Sequence, residues 1–155
     1  MTLTIRAATA GDAETVGQLM AQSADYLRAL GDTTEFRSTA ETYLRDGFGP
    51  NPAFAGLVAE TYGEVVGHLL YHFGYDTDRA IRLLHVVDLM VREDKRGQGI
   101  GKALMLRAAE LCRQAGGSEL VWVVYKPNRP AAEFYEHLGA RYIEDLDLMY
   151  WDVTL

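Results

Sequence analysis

The stretch Val91-Arg-Glu-Asp-Lys-Arg-Gly-Gln-Gly-Ile-Gly-Lys-Ala-Leu-Met105 decides the fold. Gly97, Gly99 and Gly101 alternate directly behind an apolar run. After them, Ile100, Leu104, Ala108, Leu111 and Ala115 recur at the spacing of one helix face, until Gly116-Gly117 stops the pattern. A strand that ends in bare backbone and opens a helix presents unpaired N–H groups and the positive end of the helix dipole. That is a seat for an anion. Arg92, Lys95, Arg96 and Lys102 add positive charge around it, which suits a pyrophosphate. Two nucleotide motifs are excluded by spacing. A Walker loop needs glycine where Arg96 stands and Ser or Thr where Ala103 stands, and a dinucleotide fingerprint needs its third glycine three positions after the second.

Working outward, the run Ile81 to Val91 before the glycines reads as a strand, and "FAGLVAE" with "EVVGHLLYHF" flanks Tyr62-Gly63 as an antiparallel hairpin. Upstream, Leu3 to Thr9 alternates like a strand, and Val16, Leu19, Met20, Tyr26, Leu27 and Leu30 follow helical spacing. Ser38 and Glu41 form a candidate capping box for a short helix closed by Gly47. Downstream, "LVWVVY" (120–125) is apolar on both faces and is expected in the middle of a sheet. Asn128 is the expected cap of a helix with Pro130 in its first turn and Gly139 at its end. Strands around "ARYIED" and "LMYWDVTL" complete the order β, α, α, β, β, β, α, β, α, β, β. The expectation is an α/β fold over residues 1–155, a single domain with a mixed sheet of six or seven strands and helices on both faces.

Composition bounds the partners. The 155 residues carry a formal net charge of −7, with 48% hydrophobic and 24% charged residues, ordinary values for one globular domain. An acidic chain is a poor match to nucleic acid, which is held by neutralising phosphates, and a better match to a cationic partner. No window holds eighteen uncharged apolar residues in a row and the start lacks a basic, then apolar, leader, so no membrane partner and cytoplasmic residence are the expectations. Cys112 stands alone, so no internal disulfide forms; it is expected as a small buried hydrophobe. His68 and His72 lie four apart in a strand without a third ligand in view, so no metal is expected. His85 is expected to pack with a satisfied ring, and His137 to point away from the face of Tyr135.

Arg96-Gly97-Gln98-Gly99-Ile100-Gly101, between a strand and a long helix, resembles the R/Q-x-x-G-x-G/A signature of the GNAT superfamily of N-acetyltransferases. The segments "YLRDGFGPNPAFAGLVAE", "YHFGYD", "LMVREDKRGQGIG" and "NRPAAEFYEHLGA" are similar, more narrowly, to the spermidine/spermine (diamine) acetyltransferases and their thialysine-acetylating relatives. The resemblance implies a splay between the fourth and fifth strands that takes the pantetheine arm of acetyl-CoA, while Arg96 to Lys102 hold its pyrophosphate. Leu89, Met90 and Val91 then offer backbone to the arm, and Asn128 fixes it. Tyr135 becomes the acid that protonates the departing sulfur. A phenol of pKa about 10 giving its proton to a thiolate of about 8.5 climbs about 2 kcal/mol in water. The cleft is therefore expected to raise the sulfur, or to lower the phenol through Lys126 or Arg129.

On the amine side, Asp88 matches the family's strand aspartate and Asp76 its "YD" pair, both implied to bind a cationic substrate. The subgroup carries glutamate just before that aspartate, and this chain has Val87. Either Asp88 serves as base through water, or Glu35, Glu144 or Asp147 does. The function implied is direct acetyl transfer from acetyl-CoA to a primary amine of a small polyamine or amino acid, by a homodimer. The alternatives are acetylation of a peptide or aminoglycoside amine, or a non-catalytic acyl-CoA sensor.

Overall fold

The computed structural model describes residues 2–154. Strand β1 (Leu3–Ala7) leads through a short 3-10 turn into helix α1 (Ala13–Ala29), and α2 (Ala40–Gly47) follows. Strands β2 (Ala55–Thr61), β3 (Glu64–Asp76) and β4 (Ile81–Val91) come next. Helix α3 (Ile100–Gln114), strand β5 (Gly117–Val121) and helix α4 (Arg129–His137) complete the elements. The sheet order is β1-β2-β3-β4-β5, antiparallel except for the parallel β4–β5 pair. The β2–β3 hairpin turns through Tyr62 and Gly63, both at positive φ (51° and 77°), the tight turn whose twist matches its strands.

Two apolar layers cover the two faces. One joins Val16 and Met20 of α1 and Tyr43 of α2 to Val58 and Leu70 of the sheet. The other joins Ile100, Leu104, Met105, Ala108 and Cys112 of α3 to Leu57, Leu69, Leu84 and Val86, with Phe134 and Tyr135 of α4 against it. Helices thus lie on both faces, as periodicity predicts. Cys112 is buried and free, its thiol 3.4 Å from the Glu119 carbonyl.

Three expectations need correction. The sheet has five strands among the described residues, because "ARYIED" and the described part of "LMYWDVTL" form none; Leu155 lies outside the described residues. Alternation specifies which face a strand buries, but a strand also needs a partner edge, and here Leu148, Met149, Tyr150 and Trp151 stay exposed. For the same reason "LVWVVY" is not central: β5 is the sheet's edge and ends at Val121. The capping box of α2 sits one residue on from Ser38 and Glu41. The Thr39 hydroxyl accepts from the Thr42 N–H at 3.1 Å, and the Thr42 hydroxyl accepts from the Thr39 N–H at 2.8 Å.

Candidate active site

Strand β4 is held on both sides at one end and on one side at the other. Its parallel ladder with β5 runs from Arg82↔Gly117 to His85↔Val121 and stops, while β4 continues to Val91 against β3 alone. The backbone from Val86 to Val91, including Leu89 and Met90, therefore faces a gap on the β5 side. That is the splay between strands 4 and 5 that the resemblance implies. Within the gap β4 bulges: Asp88 faces Leu70 and Val86 faces Tyr71, leaving Val87 without an opposite number.

At the end of β4 stands the glycine loop. Gly97 and Gly99 adopt left-handed backbone (φ 72° and 83°), and a Cβ at either would point into open space. The conformation, not crowding, selects glycine there. At Gly101 the reason is different: a Cβ would come within 3.2 Å of the Phe134 ring. Gly99 caps α3 without a side-chain bond, so the first N–H groups of a 15-residue helix open outward beside exposed Gln98 and Lys102. Arg92 does not join the loop's charge. Glu64 and Asp94 pair with it at 2.6 Å each and hold its guanidinium charged. Arg96 stays uncommitted to any carboxylate among the described residues; it donates to the Val91 carbonyl at 3.0 Å.

A contact that periodicity missed joins two of the expected cofactor residues. The Tyr26 hydroxyl donates to Asn128 Oδ1 at 2.9 Å, and the Arg96 guanidinium lies 5.3 Å from the centre of the Tyr26 ring. Asn128 also caps α4, accepting from the Ala131 N–H at 3.3 Å. Tyr26 thus reaches from α1 to both sides of the splay. Helical spacing marks it only as core-facing, since its partners are remote in sequence.

Tyr135 of α4 packs against Trp122 (ring centres 4.9 Å apart) and Phe134 (5.2 Å). Burial, and then the negative charge of Asp88, push its hydroxyl up to about 12. The expected lowering by Lys126 or Arg129 is therefore corrected, because desolvation of the phenolate and a nearby carboxylate both favour the neutral form. The same physics brings Asp88 and Tyr135 into one electrostatic site.

Beneath Asp88 lies His68, fully buried, with Nε2 3.1 Å from Asp88 Oδ2. His85 instead faces His72 (ring centres 4.7 Å apart), and its pKa is lowered by burial and then by that neighbour. Asp76 is brought to neither group. It sits opposite Ile81, about 20 Å along the strand from Asp88. There it accepts from the Asp78 and Arg79 N–H groups and pairs with the Arg79 side chain, whose guanidinium also grips Glu119 at 2.6 and 2.8 Å. Glu35 pairs with Arg37 on the surface, and Glu144 and Asp147 lie in the exposed segment after α4. Two shallow troughs of about 430 and 380 Å³ run beside α1 and the 34–40 segment, apart from Tyr135 and Asp88.

Comparison with known proteins agrees with this geometry. Residues 18–140 match the model of the Acetyltransferase (GNAT) family. The chain is 35% identical over 145 residues to a thialysine N-epsilon-acetyltransferase of Bos taurus, covering 88% of this chain and 83% of that protein. It is 31% identical to a spermidine/spermine N(1)-acetyltransferase-like protein 1 of Homo sapiens, covering 88% of this chain and 20% of that longer one. Among solved structures, an integron cassette protein from the mobile metagenome of V. cholerae superposes with a TM-score of 0.79 at 20% identity, covering 98% and 93% of the two chains; this is a likeness of fold. The chain belongs to the GNAT family of acetyltransferases, enzymes that use acetyl-CoA as co-substrate.

Proposed function

We propose that this chain, acting as one catalytic unit, transfers an acetyl group from acetyl-CoA to a primary amine of a small polyamine or amino-acid-like substrate, by direct attack in a ternary complex. The observation that carries the reading is the unladdered end of β4, from Val86 to Val91, lying beside the left-handed glycine loop that opens α3. The relatives that act on thialysine, the spermidine/spermine-like relative and the net charge of −7 all favour a cationic amine.

The residues fit the co-substrate. Gly97 to Gly101 and the N-terminus of α3 receive the pyrophosphate, with Arg96, Gln98 and Lys102 at its rim; the unladdered backbone of Leu89, Met90 and Val91, with Asn128, receives the pantetheine arm. When bound, acetyl-CoA supplies an activated acyl group and a thiol leaving group.

The chain's own residues then manage two protons. A primary ammonium of pKa about 10.4 costs about 4.6 kcal/mol to deprotonate at pH 7. Asp88, half-exposed in the strand, attracts the cation and takes its proton through water. Tyr135 keeps its proton at neutral pH and donates to the sulfur as charge develops there. From about 12 to an ordinary thiol of about 8.5 is uphill by about 5 kcal/mol, so the dry wall formed by Trp122 and Phe134 must also raise the thiol. Because Asp88's charge is one cause of the raised Tyr135 pKa, a proton arriving at Asp88 strengthens Tyr135 as an acid. Base and acid act in sequence.

The assembly we propose is a homodimer. Leu148, Met149, Tyr150, Trp151 and Val153 are each at least 80% exposed, and the outer edge of β5 is unpaired among the described residues. A second copy covers both, with the 140–154 segment of each chain against its partner. Sedimentation at micromolar concentration gives a dimer that W151E splits; a monomer for the unaltered chain overturns this assembly.

Cytoplasmic residence is part of the same reading, supported by the free, buried Cys112. No described helix is long and apolar enough to cross a membrane. The test of the whole is CoA release with spermidine, lysine, thialysine and aminoglycosides, on the unaltered chain and Tyr135→Phe. Turnover with a small amine that Y135F abolishes supports the reading. Binding of CoA without turnover on any amine turns it into a sensor, and turnover unchanged in Y135F removes Tyr135 from its role.

A further inference from the structure

We propose that His68 and Asp88 form one proton-accepting unit: Asp88 faces the amine, and His68, a positioning residue beneath it, shares the proton that the amine releases. The inference rests on the function proposed above and deepens it at the base.

His68 is 0% exposed, and neither ring nitrogen has a hydrogen-bond partner among the described residues. Leaving a buried polar group unpaired is unfavourable, so a structure that keeps one calls for an explanation. The imidazole lies in the β3 row between Val58 and Met90, on the face that α1 and α2 cover. Its Nε2 stands 3.1 Å from Asp88 Oδ2, within hydrogen-bonding length but out of line. The Asp88 side chain is 32% exposed, so its carboxylate connects a sealed ring to the open cleft. Other titratable or charged groups on the elements packed there are few. Tyr43 of α2 is turned to the Asp12 end, Tyr26 of α1 is engaged with Asn128, and Arg96 has Nη2 3.6 Å from the sulfur of Met90. Tyr135 of α4 feels Asp88 itself. Asp88 is the acidic group that His68 meets.

The chemistry follows from ordinary acidities. A proton leaving an ammonium climbs about 6.5 pKa units to an ordinary carboxylate and about 3.9 to an ordinary imidazole. The amine N–H bond breaks, its electron pair stays on nitrogen for the attack, and the proton passes to Asp88 directly or through water. Asp88 passes a proton to His68 Nε2. A neutral imidazole beside a carboxylate has a total charge of −1; with the added proton it becomes an imidazolium–carboxylate ion pair whose charges sum to zero, so no net charge is left buried. This supplies a base at the strand where Val87 leaves none. Asp88 remains the group that touches substrate.

Two measurements test the unit. The first needs no turnover: the ring nitrogens of His68 are followed by NMR against pH in the unaltered chain and in D88N. The expected result is a set of ring-nitrogen signals that respond to pH differently in the two proteins; signals that stay constant from pH 5 to 9, or that respond identically in both, overturn the proposal. The second is the pH profile of kcat and KM for an accepted amine in H68F and H68Q, with CoA affinity as control. Glutamine keeps a donor near Nε2 but takes no proton. At least a tenfold loss of kcat in both variants at unchanged CoA affinity, with the acid limb of the profile displaced, supports proton sharing; full rescue by H68Q reduces His68 to a donor and overturns it. Y135F separates the two levels. If Y135F is inactive while H68Q is normal, the enzyme reading stands and the dyad falls.

Discussion

The two ends of β4 carry the same kind of residues and do opposite things. At Arg82–His85 the strand is laddered on both sides, and Arg79 clamps Asp76 of β3 and Glu119 of β5 across the sheet. At Val86–Val91 one ladder is missing, the strand bulges at Val87, and Asp88, the cofactor backbone and the glycine loop all gather there. Carboxylates stand at both ends. At the closed end they are paired with arginine and their acidity is set by it: Asp76 and Glu119 are both held below the usual range by Arg79. At the open end Asp88 is left beside the buried imidazole of His68, with the half-buried phenol of Tyr135 feeling its charge. Full pairing makes a lock, and incomplete pairing makes a site.

The largest effect expected from breaking the open end is in Tyr135→Phe, which lowers kcat by about 100-fold or more, the ordinary contribution of a general acid. Next comes D88N. It lowers kcat by about 10- to 100-fold. It also moves Tyr135 down from about 12, because one cause of its elevation is removed; a phenolate titration of that residue reads the shift.

Gly99→Ala has a smaller cost. It forces a left-handed backbone onto an alanine, at about 1–2 kcal/mol, and weakens CoA affinity by about tenfold while leaving the His68 environment unchanged. Alkaline unfolding gives a pH window. Tyr43 and Tyr135, both raised to about 12, fold as neutral phenols. Their contribution is intact below about pH 10, where unfolded tyrosine is also neutral, and is lost as pH rises through 12. Ultraviolet titration sees phenolate absorbance rise together with unfolding.

The smallest effect belongs to the closed end. Arg79→Ala removes exposed ion pairs, which contribute little to stability, so it leaves Tm nearly unchanged and leaves CoA affinity alone. It also sharpens the comparison: an unchanged KM for the amine keeps Asp76 in the lock, and a changed one gives it to the substrate.

What the sequence made legible follows from how local each signal is. Gly97 and Gly99 were readable because φ is a property of one residue, and Asn128 because a cap and its helix are neighbours. The cap of α2 was misplaced by one position because Ser38 and Thr39 offer the same hydroxyl. The terminal strands do not form because Leu148 to Trp151, a strand-like apolar run, has no edge to pair with, and "LVWVVY" loses its central place with them.

Within the site, Tyr135 and Asp88 came from family resemblance, and their electrical contact needed the fold. The links Tyr26–Asn128 and His68–Asp88 join residues 102 and 20 positions apart, and no periodicity announces them. The signal that was present for His68 was a lone imidazole in the apolar run "VVGHLLY", a polar group that a buried strand has to explain.

The central claim is that the open end of β4 and the bare mouth of α3 set the acetyl donor beside Tyr135. A crystal structure with CoA and an amine tests it most directly. The account predicts the pyrophosphate on Gly97–Gly101, the sulfur within hydrogen-bonding reach of the Tyr135 hydroxyl, and the amine next to Asp88. A sulfur lying away from that hydroxyl, with the amine at Asp76 or in the trough beside α1, would contradict it.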